Sequence, residues 1–227
     1  MDNEKKQGLT TEEEVGVFVS KSERYIENNK KTIGLLLLVL LVVVGGFVAY
    51  KYLYAKPREI KASEAMFRAE HYFTADSFNI ALYGDSANTK GFLDIIKEYG
   101  STKAGNLAQA YAGISFFKLG DTTKALEHLK KYNGNDQMVS PAIDGLIGDC
   151  YADMDQLDEA LKYFEKAAKN ADNEILSPIY LKKAGLAYEA KGDTAAAIAS
   201  YQKIKDKYLN SQEAATIDKY IQRIRLK

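Results

Sequence analysis

AYAGISFFKLGDTTKALEHLKKY, residues Ala110 to Tyr132, reads as two short helices around a glycine break. The pattern recurs in DGLIGDCYADMDQLDEALKYFEKAA (Asp144 to Ala168) and KKAGLAYEAKGDTAAAIASYQKI (Lys182 to Ile204). With Gly113, Gly148 and Gly185 aligned, Phe116, Tyr151 and Tyr188 follow three residues later. Ala125, Ala160 and Ala197 come twelve residues on, and Leu129, Phe164 and Tyr201 sixteen on. The spacings are 35 and 37 residues. A repeat of this length is one supersecondary unit stacked on its neighbours. The small residues let two helices of a unit approach, and the aromatics fill the space between units.

The chain around these units reads as alternating helices with short breaks, and no strand-like alternation persists. Gly100, Gly120 and Gly192 stand where a helix end needs positive φ. Ser140-Pro141 and Ser177-Pro178 offer N-cap serines followed by proline at the first helical position. Upstream, 60–100 reads as a divergent hairpin. Its first helix carries Ala62, Ala65, Phe67, Ala69, Tyr72 and Phe73; its second starts near Thr89 and carries Phe92, Ile95, Ile96 and Tyr99. The loop Tyr83 to Asn88 between them is either a connection or a contact site. Downstream, Ser211 caps a final helix with Ala214, Ile217, Ile221 and Ile224 on one face and Asp218, Lys219, Arg223 and Arg225 on the other, a polar end for a stack of repeats.

Ile33 to Tyr50, IGLLLLVLLVVVGGFVAY, holds no charge and has no polar face. At about 1.5 Å per residue it reaches roughly 27 Å, the hydrocarbon thickness of a bilayer. The run is too long for a signal-peptide core and no A-x-A site follows, so it is expected to stay as a span over 33–54. Tyr50, Tyr52 and Tyr54 form an aromatic belt at its far end, and Pro57 is expected to end the emerging helix. Lysine and arginine flank both sides, so charge alone does not orient it. The tail before it, 1–32, is polar to residue 9. Thr11 and Glu14 then make a capping box, and Val15, Phe18, Ser22 and Tyr25 or Ile26 recur at helical spacing. This segment is an amphipathic helix for a membrane surface or a partner helix, or a partly ordered tail.

Charge is balanced, with 31 basic and 31 acidic residues, so the basic excess that nucleic-acid binding needs is missing. His71 and His128 lie 57 residues apart without a second ligand at metal spacing, and both read as helix-surface residues. Cys150 has no histidine near it and reads as a small structural residue. Asp149, Asp153, Asp155, Asp158 and Glu159 lack the ligand order of a calcium loop and read as a solvated face. No nucleotide-binding or hydrolase motif occurs. A non-enzymatic protein without cofactor or metal is expected.

Over about Lys103 to Lys207 the chain resembles tetratricopeptide repeat (TPR) proteins, whose repeat is close to this length. The resemblance implies an all-α, TPR-like solenoid of antiparallel hairpins in 55–227, with units near 103–136, 140–172 and 177–208 and a cap at 211–226. It also implies a groove lined by the first helices, showing Ala110, Ile114, Phe117 and Lys118, then Gly145, Asp149, Ala152 and Asp153, then Ile179, Lys182, Leu186 and Glu189. Some such grooves clamp a peptide carboxylate through asparagine. Asp149 and Leu186 stand at those positions here, so a mixed surface for a peptide or partner helix is expected instead. The order of parts, with Tyr25-Ile26-Glu27-Asn28-Asn29-Lys30 before the span, resembles the ancillary subunit family of the SecYEG translocon. That resemblance implies a single-pass inner-membrane protein with a cytoplasmic N-terminus and periplasmic repeats. Its partners would be envelope proteins or periplasmic chaperones, with self-association as the alternative.

Overall fold

The computed structural model describes residues 11–85 and 89–226, and side chains from residue 25 onward. The polar stretch 1–9, the side chains of the Thr11/Glu14 capping box, Val15, Phe18 and Ser22, and loop residues 86–88 lie outside the described residues. The chain divides into two units, Met1–Pro57 and Arg58–Lys227.

In the first unit, α1 runs Thr11–Ala49 and a π-helical turn spans Tyr50–Ala55. Helix α1 passes through Asn28 and Asn29 without a break, and the Asn29 amide donates to the Tyr25 carbonyl at 2.9 Å. Leu35 to Val44 are all exposed. Among the described residues one helical stretch, Tyr25–Thr74, is long and apolar enough to cross a membrane. Pro57 does not end a helix. It is the second residue of α2 (Lys56–Thr74), which continues directly from the π-turn, and the wider π-helical spacing before it accommodates the missing N–H inside a continuous helix.

The second unit is all-α among the described residues. After α2 come α3 (Phe78–Tyr83), α4 (Phe92–Tyr99), α5 (Lys103–Lys118), α6 (Thr122–Leu129), α7 (Val139–Asp153), α8 (Leu157–Ala171), α9 (Leu176–Ala190), α10 (Thr194–Lys207) and α11 (Ala214–Arg225). Helices α5/α6, α7/α8 and α9/α10 are the three hairpins of the repeat. Ala125, Ala160 and Ala197 are each 0% exposed, on the seams where the second helices meet the first. A Cβ on Gly113 would lie 2.5 Å from Leu129, on Gly148 2.6 Å from Phe164, and on Gly185 2.2 Å from Tyr201. The glycine of each first helix therefore receives the large residue sixteen positions later. Apolar residues of α8 recur at helical spacing (Ala160, Leu161, Phe164, Ala167, Ala168, Ala171), and all are buried. Ala160→Leu is expected to overpack this seam, costing about 1–3 kcal/mol. Thermal unfolding of the detergent-solubilised protein checks it, and an unchanged midpoint would refute the register.

The turn within each hairpin sits seven residues past the small residue and has positive φ every time. Gly120 (φ 82°) and Gly192 (φ 80°) adopt it without steric cost, and Asp155 (φ 57°) takes the same place in the middle unit. The next residue caps the second helix in two units: Asp121 accepts from Lys124 N at 3.1 Å and Asp193 from Ala196 N at 3.0 Å. Gly100 differs from expectation: its φ of −55° is right-handed, because the turn there is closed by Thr102, whose Oγ1 donates to Tyr99 O and accepts from Gly105 N. Ser211 does the same for α11, donating to Tyr208 O and accepting from Ala214 N.

Ser140 and Ser177 are not N-caps. Helix α7 starts at Val139 and α9 at Leu176, one residue before the respective serine. Residues further upstream cap these ends. Asp136 accepts from the backbone of Met138, Val139 and Ser140 and from Ser140 Oγ, and Asn173 accepts from Ile175 N and Leu176 N. Desolvation against the start of α7 pushes the Asp136 carboxyl up, but these bonds outweigh it and bring it down to about 2. Asp136→Ala is expected to cost about 1 kcal/mol at neutral pH. The carboxyl is depressed in the folded state, so its stabilisation is present above its ordinary value of 3.8 and lost as pH falls through about 2. Unfolding of both proteins across that range should show the two curves converging in acid.

The upstream hairpin is built differently from the sequence reading. The partner of α2 in the repeat register is α3, not a helix starting at Thr89. With Ala69 set on Gly113, Tyr72 falls three on, Asp76 (φ 54°) seven on and Ala81 (0% exposed) twelve on. The sixteenth position is Phe92, 0% exposed, once the seven residues 84–90 are set aside. With those seven removed, the 44 residues from Ala69 to Gly113 also shrink to 37, the repeat length. A seven-residue insertion thus splits one second helix into α3 and α4. Gly84, its first residue, and Gly91, just after it, lie so close that a Cβ on Gly91 would be 2.4 Å from Gly84 N. Asp85 anchors the loop, accepting from Tyr72 OH at 2.5 Å and Thr89 N at 3.0 Å. Helix α2 is held to α5 by Glu59, which accepts from the N-terminal amides of Lys103 and Ala104, and by Phe73, whose ring lies 4.8 Å from that of Tyr111.

Candidate protein-binding face

The first helices α5, α7 and α9 and the terminal α11 follow each other through the repeat unit, one per repeat. Of the expected groove residues, Ile114 and Phe117 on α5 are half-buried and Lys118 is exposed. On α7, Asp149 and Ala152 are half-buried and Asp153 is exposed. On α9, Ile179, Lys182 and Glu189 are half-buried, and Leu186 is 41% exposed. Two positions drop out. Ala110 is buried, and Gly145 is covered by Tyr180 of α9, which a Cβ there would meet at 1.9 Å. What is left is exposed Leu186 and half-buried Ile179 on α9, half-buried Ile114 and Phe117 on α5, and Asp149, Ala152 and Asp153 on α7.

Much of that charge is already paired between neighbouring first helices. Lys183 of α9 reaches both carboxylate oxygens of Asp149 on α7, at 2.6 and 2.7 Å. Arg223 of α11 donates to Glu189 of α9 at 2.7 Å, and the buried Tyr201 hydroxyl donates to the same carboxylate at 2.6 Å. Lys182 of α9 lies 4.8 Å from the ring centre of Tyr220 on α11. Burial pushes the Asp149 carboxyl up against the downward pull of Lys183. Burial and Glu189 together push the Tyr201 phenol well up. Asp149, Lys182 and Glu189 therefore stitch the stack together, while Lys118, Asp153 and Leu186 project from it. Reading along the sequence misses Lys183, Tyr220 and Arg223 as their partners. A signal for two of them is present, since Asp149/Lys183 and Glu189/Arg223 are opposite charges 34 residues apart, one repeat length.

Other chemistry-bearing residues are held structurally. Cys150 is fully buried, and burial pushes its thiol up to about 12, so it carries negligible thiolate at neutral pH. His128 is not a surface residue: it is half-buried, stacked on Phe116 with centroids 5.4 Å apart, and its Nδ1 lies 2.8 Å from Gln109 Oε1. Burial lowers its pKa. Within the acidic run, Asp149, Asp158 and Glu159 each pair with a lysine: Lys183, Lys191 and Lys162. Among the described residues no three histidine, cysteine, aspartate or glutamate side chains converge as a metal site.

No curated protein matches the chain. Among solved structures it is similar to the crystal structure of MamA, at 20% identity and a TM-score of 0.42, over 59% of this chain and 86% of that one. The tetratricopeptide repeat-like domain family matches residues 23–224, nearly the whole chain, and this match agrees with the register of small and large core residues described above. The chain belongs to the tetratricopeptide repeat-like domain family.

Proposed function

We propose that this chain is a membrane-anchored scaffold that binds protein or peptide partners along its first helices. The observation that carries this reading is the exposed Leu186, with Ile114, Phe117 and Ile179 partly exposed on the same series of first helices, while the charges of Asp149, Lys182 and Glu189 are used internally. A mixed surface of partly exposed apolar residues with Lys118 and Asp153 projecting suits a peptide or an amphipathic partner helix. The role is one of binding rather than catalysis. Helix α1 supplies the anchor: its apolar run makes no packing contact that would bury it.

In this reading the protein is a single-pass inner-membrane protein with residues 1–32 in the cytoplasm, 33–54 in the bilayer and the repeats in the periplasm. The resemblance to the translocon's ancillary subunit supports this placement and points to the Sec translocon or periplasmic chaperones as partners. Protease treatment of spheroplasts tests the orientation: the repeats should be digested, and their protection until lysis would reverse it. Photo-crosslinking from Leu186 in intact membranes tests the face. Adducts with the translocon or with a periplasmic chaperone support the reading, and crosslinks to lipid alone reject it.

A second reading is self-association through α1. A methyl group placed on Gly34, Gly45 or Gly46 would meet nothing within 4 Å, leaving room for a second helix to approach closely. Light scattering in detergent decides it, a monomer at high concentration rejecting self-association.

A further inference from the structure

The loops between repeats, 100–102, 130–138, 172–175 and 208–213, lie on one edge of the repeat unit, and hydrogen bonds trace that edge from end to end. At the start of α2, Arg58 donates to Glu98 O at the end of α4, and Glu59 accepts from the first amides of α5. Asn106 of α5 and Asn133 before α7 join by two bonds, at 2.8 and 2.9 Å. Asn173 before α9 donates to Gln137 O and to Met138 Sδ before α7. Asp172 then accepts from Lys207 and from the Tyr208 hydroxyl at the end of α10. Because α2 begins at this edge, the chain enters the repeat unit here. The expected span ends at Tyr54, four residues before Arg58, a path of about 14 Å even if fully extended. The turns inside the hairpins, at Asp76, Gly120, Asp155 and Gly192, form the opposite edge.

Three of these loops hold apolar side chains out to solvent: Met138 and Val139 before α7, Ile175 before α9 and Leu209 before α11, the last two 62% and 72% exposed. Surface loops are built mainly from glycine, proline and polar residues, and none of these four side chains packs on the core. Basic residues stand among them. Lys61, Lys97, Lys103, Lys169 and Lys203 are exposed at this edge and form no ion pair among the described residues. The acidic groups there are mostly in use. Glu59 and Asp136 hold backbone amides, Glu98 pairs with Lys90 and Asp172 with Lys207, which leaves Glu174, Asp206 and Glu213 without an ion pair. At the turns of the opposite edge the balance reverses. Asp76, Asp153, Asp155 and Asp193 form no ion pair there, and Lys118 is the basic residue beside them.

We propose that the inter-repeat edge is a second membrane contact, on which the repeat unit stands against anionic lipid headgroups. The free lysines meet the lipid phosphates, and Met138, Val139, Ile175 and Leu209 enter the boundary between headgroups and acyl chains. Apolar residues interleaved with lysines suit that boundary, where the ammonium stays hydrated among the headgroups while the apolar side chain leaves water. A surface of a few side chains suffices because the span holds it near the bilayer, and tethering makes docking an intramolecular step at high effective concentration. An acidic protein could meet the same lysines, but the bilayer is the partner that the chain itself brings to this edge. Docked in this way, the first helices rise from the bilayer and their exposed face opens sideways to a partner. The inference rests on the reading of α1 as an anchor and adds a lipid class to it. It does not depend on what the first helices bind.

The test uses the full-length protein with Leu209→Cys, Ile175→Cys or Thr123→Cys, each labelled with a nitrobenzoxadiazole fluorophore. Thr123 is exposed in the first turn of α6, at the opposite edge, and Cys150 is buried and stays unlabelled. Each protein is placed in nanodiscs of phosphatidylglycerol and phosphatidylcholine that carry a headgroup spin-labelled lipid as quencher. Quenching is expected at positions 209 and 175 and not at 123. It should weaken in nanodiscs of phosphatidylcholine alone and at high salt. Combining Lys97→Gln, Lys169→Gln and Lys203→Gln should lower the ratio of docked to undocked protein by about fivefold per lysine. A melting curve reports whether that variant folds, and the phosphatidylcholine arm needs no variant. Protein that enters the nanodiscs but is quenched no more at 209 and 175 than at 123 overturns the proposal and leaves the anchor standing. Equal quenching without phosphatidylglycerol also overturns it, as does a folded lysine variant quenched like the parent. Failure of the protein to enter nanodiscs overturns the anchor reading itself, and this inference with it.

Discussion

Tyr201→Ala is expected to destabilise the repeat unit by about 3–5 kcal/mol, the range for removing a buried aromatic. Tyr201 is 0% exposed, its ring fills the space left by Gly185, and its hydroxyl donates to Glu189 at 2.6 Å. The ring also lies 5.5 Å from that of Tyr220 on α11, so the loss reaches the end of the stack. Against a total stability of roughly 5–15 kcal/mol this is a large fraction. Tyr201→Phe keeps the ring and loses one hydrogen bond, and should cost only about 1 kcal/mol, since Arg223 still pairs with Glu189. A double-mutant cycle makes the claim specific. Gly185→Leu alone should destabilise by clashing with the ring, yet in the Tyr201→Ala background it should recover part of the loss by filling the hole. Additive effects in denaturant unfolding would show that the two residues do not face each other as described.

Leu40→Arg combined with Val43→Arg is expected to move the protein from the membrane pellet to the carbonate-soluble fraction. Each arginine near the middle of a span costs about 2.5–3.5 kcal/mol on insertion. Both positions are exposed on α1, at 58% and 62%, so neither substitution disturbs packing inside the described chain. Leu186→Lys is the matched control: a charged change on the repeat unit should leave fractionation unaltered. A double variant that pellets as firmly as the parent would remove the case for an anchor in α1.

The two Tyr201 partners illustrate how much of the candidate site can be read from the chain. The small-to-large pairing of Gly185 with Tyr201 repeats in the other two hairpins, and repetition makes it visible. Glu189 reads as part of an open groove because its surroundings in the sequence, Tyr188 and Ala190, say nothing of Arg223 one helix further on. Asp149 and Lys182 mislead for the same reason: their partners come from the next repeat. By contrast Leu186, Lys118 and Asp153, which make no such bridge, stand where the helical spacing puts them.

The amino-acid sequence by itself determined the all-α class, the register of three hairpins and the apolar run of α1. Each of these depends on residues close in the chain. A hairpin's two helices are joined by a turn of a few residues, so the spacing of small and large side chains translates directly into contacts. The apolar run is legible without knowing its neighbours. Only the tertiary structure decided the rest. The register of the 60–100 hairpin was hidden because seven inserted residues shift every later position, and the shift is recognised only when Phe92 is seen filling the core slot. The ion pairs between first helices depend on how one repeat is rotated against the next, which no local spacing specifies.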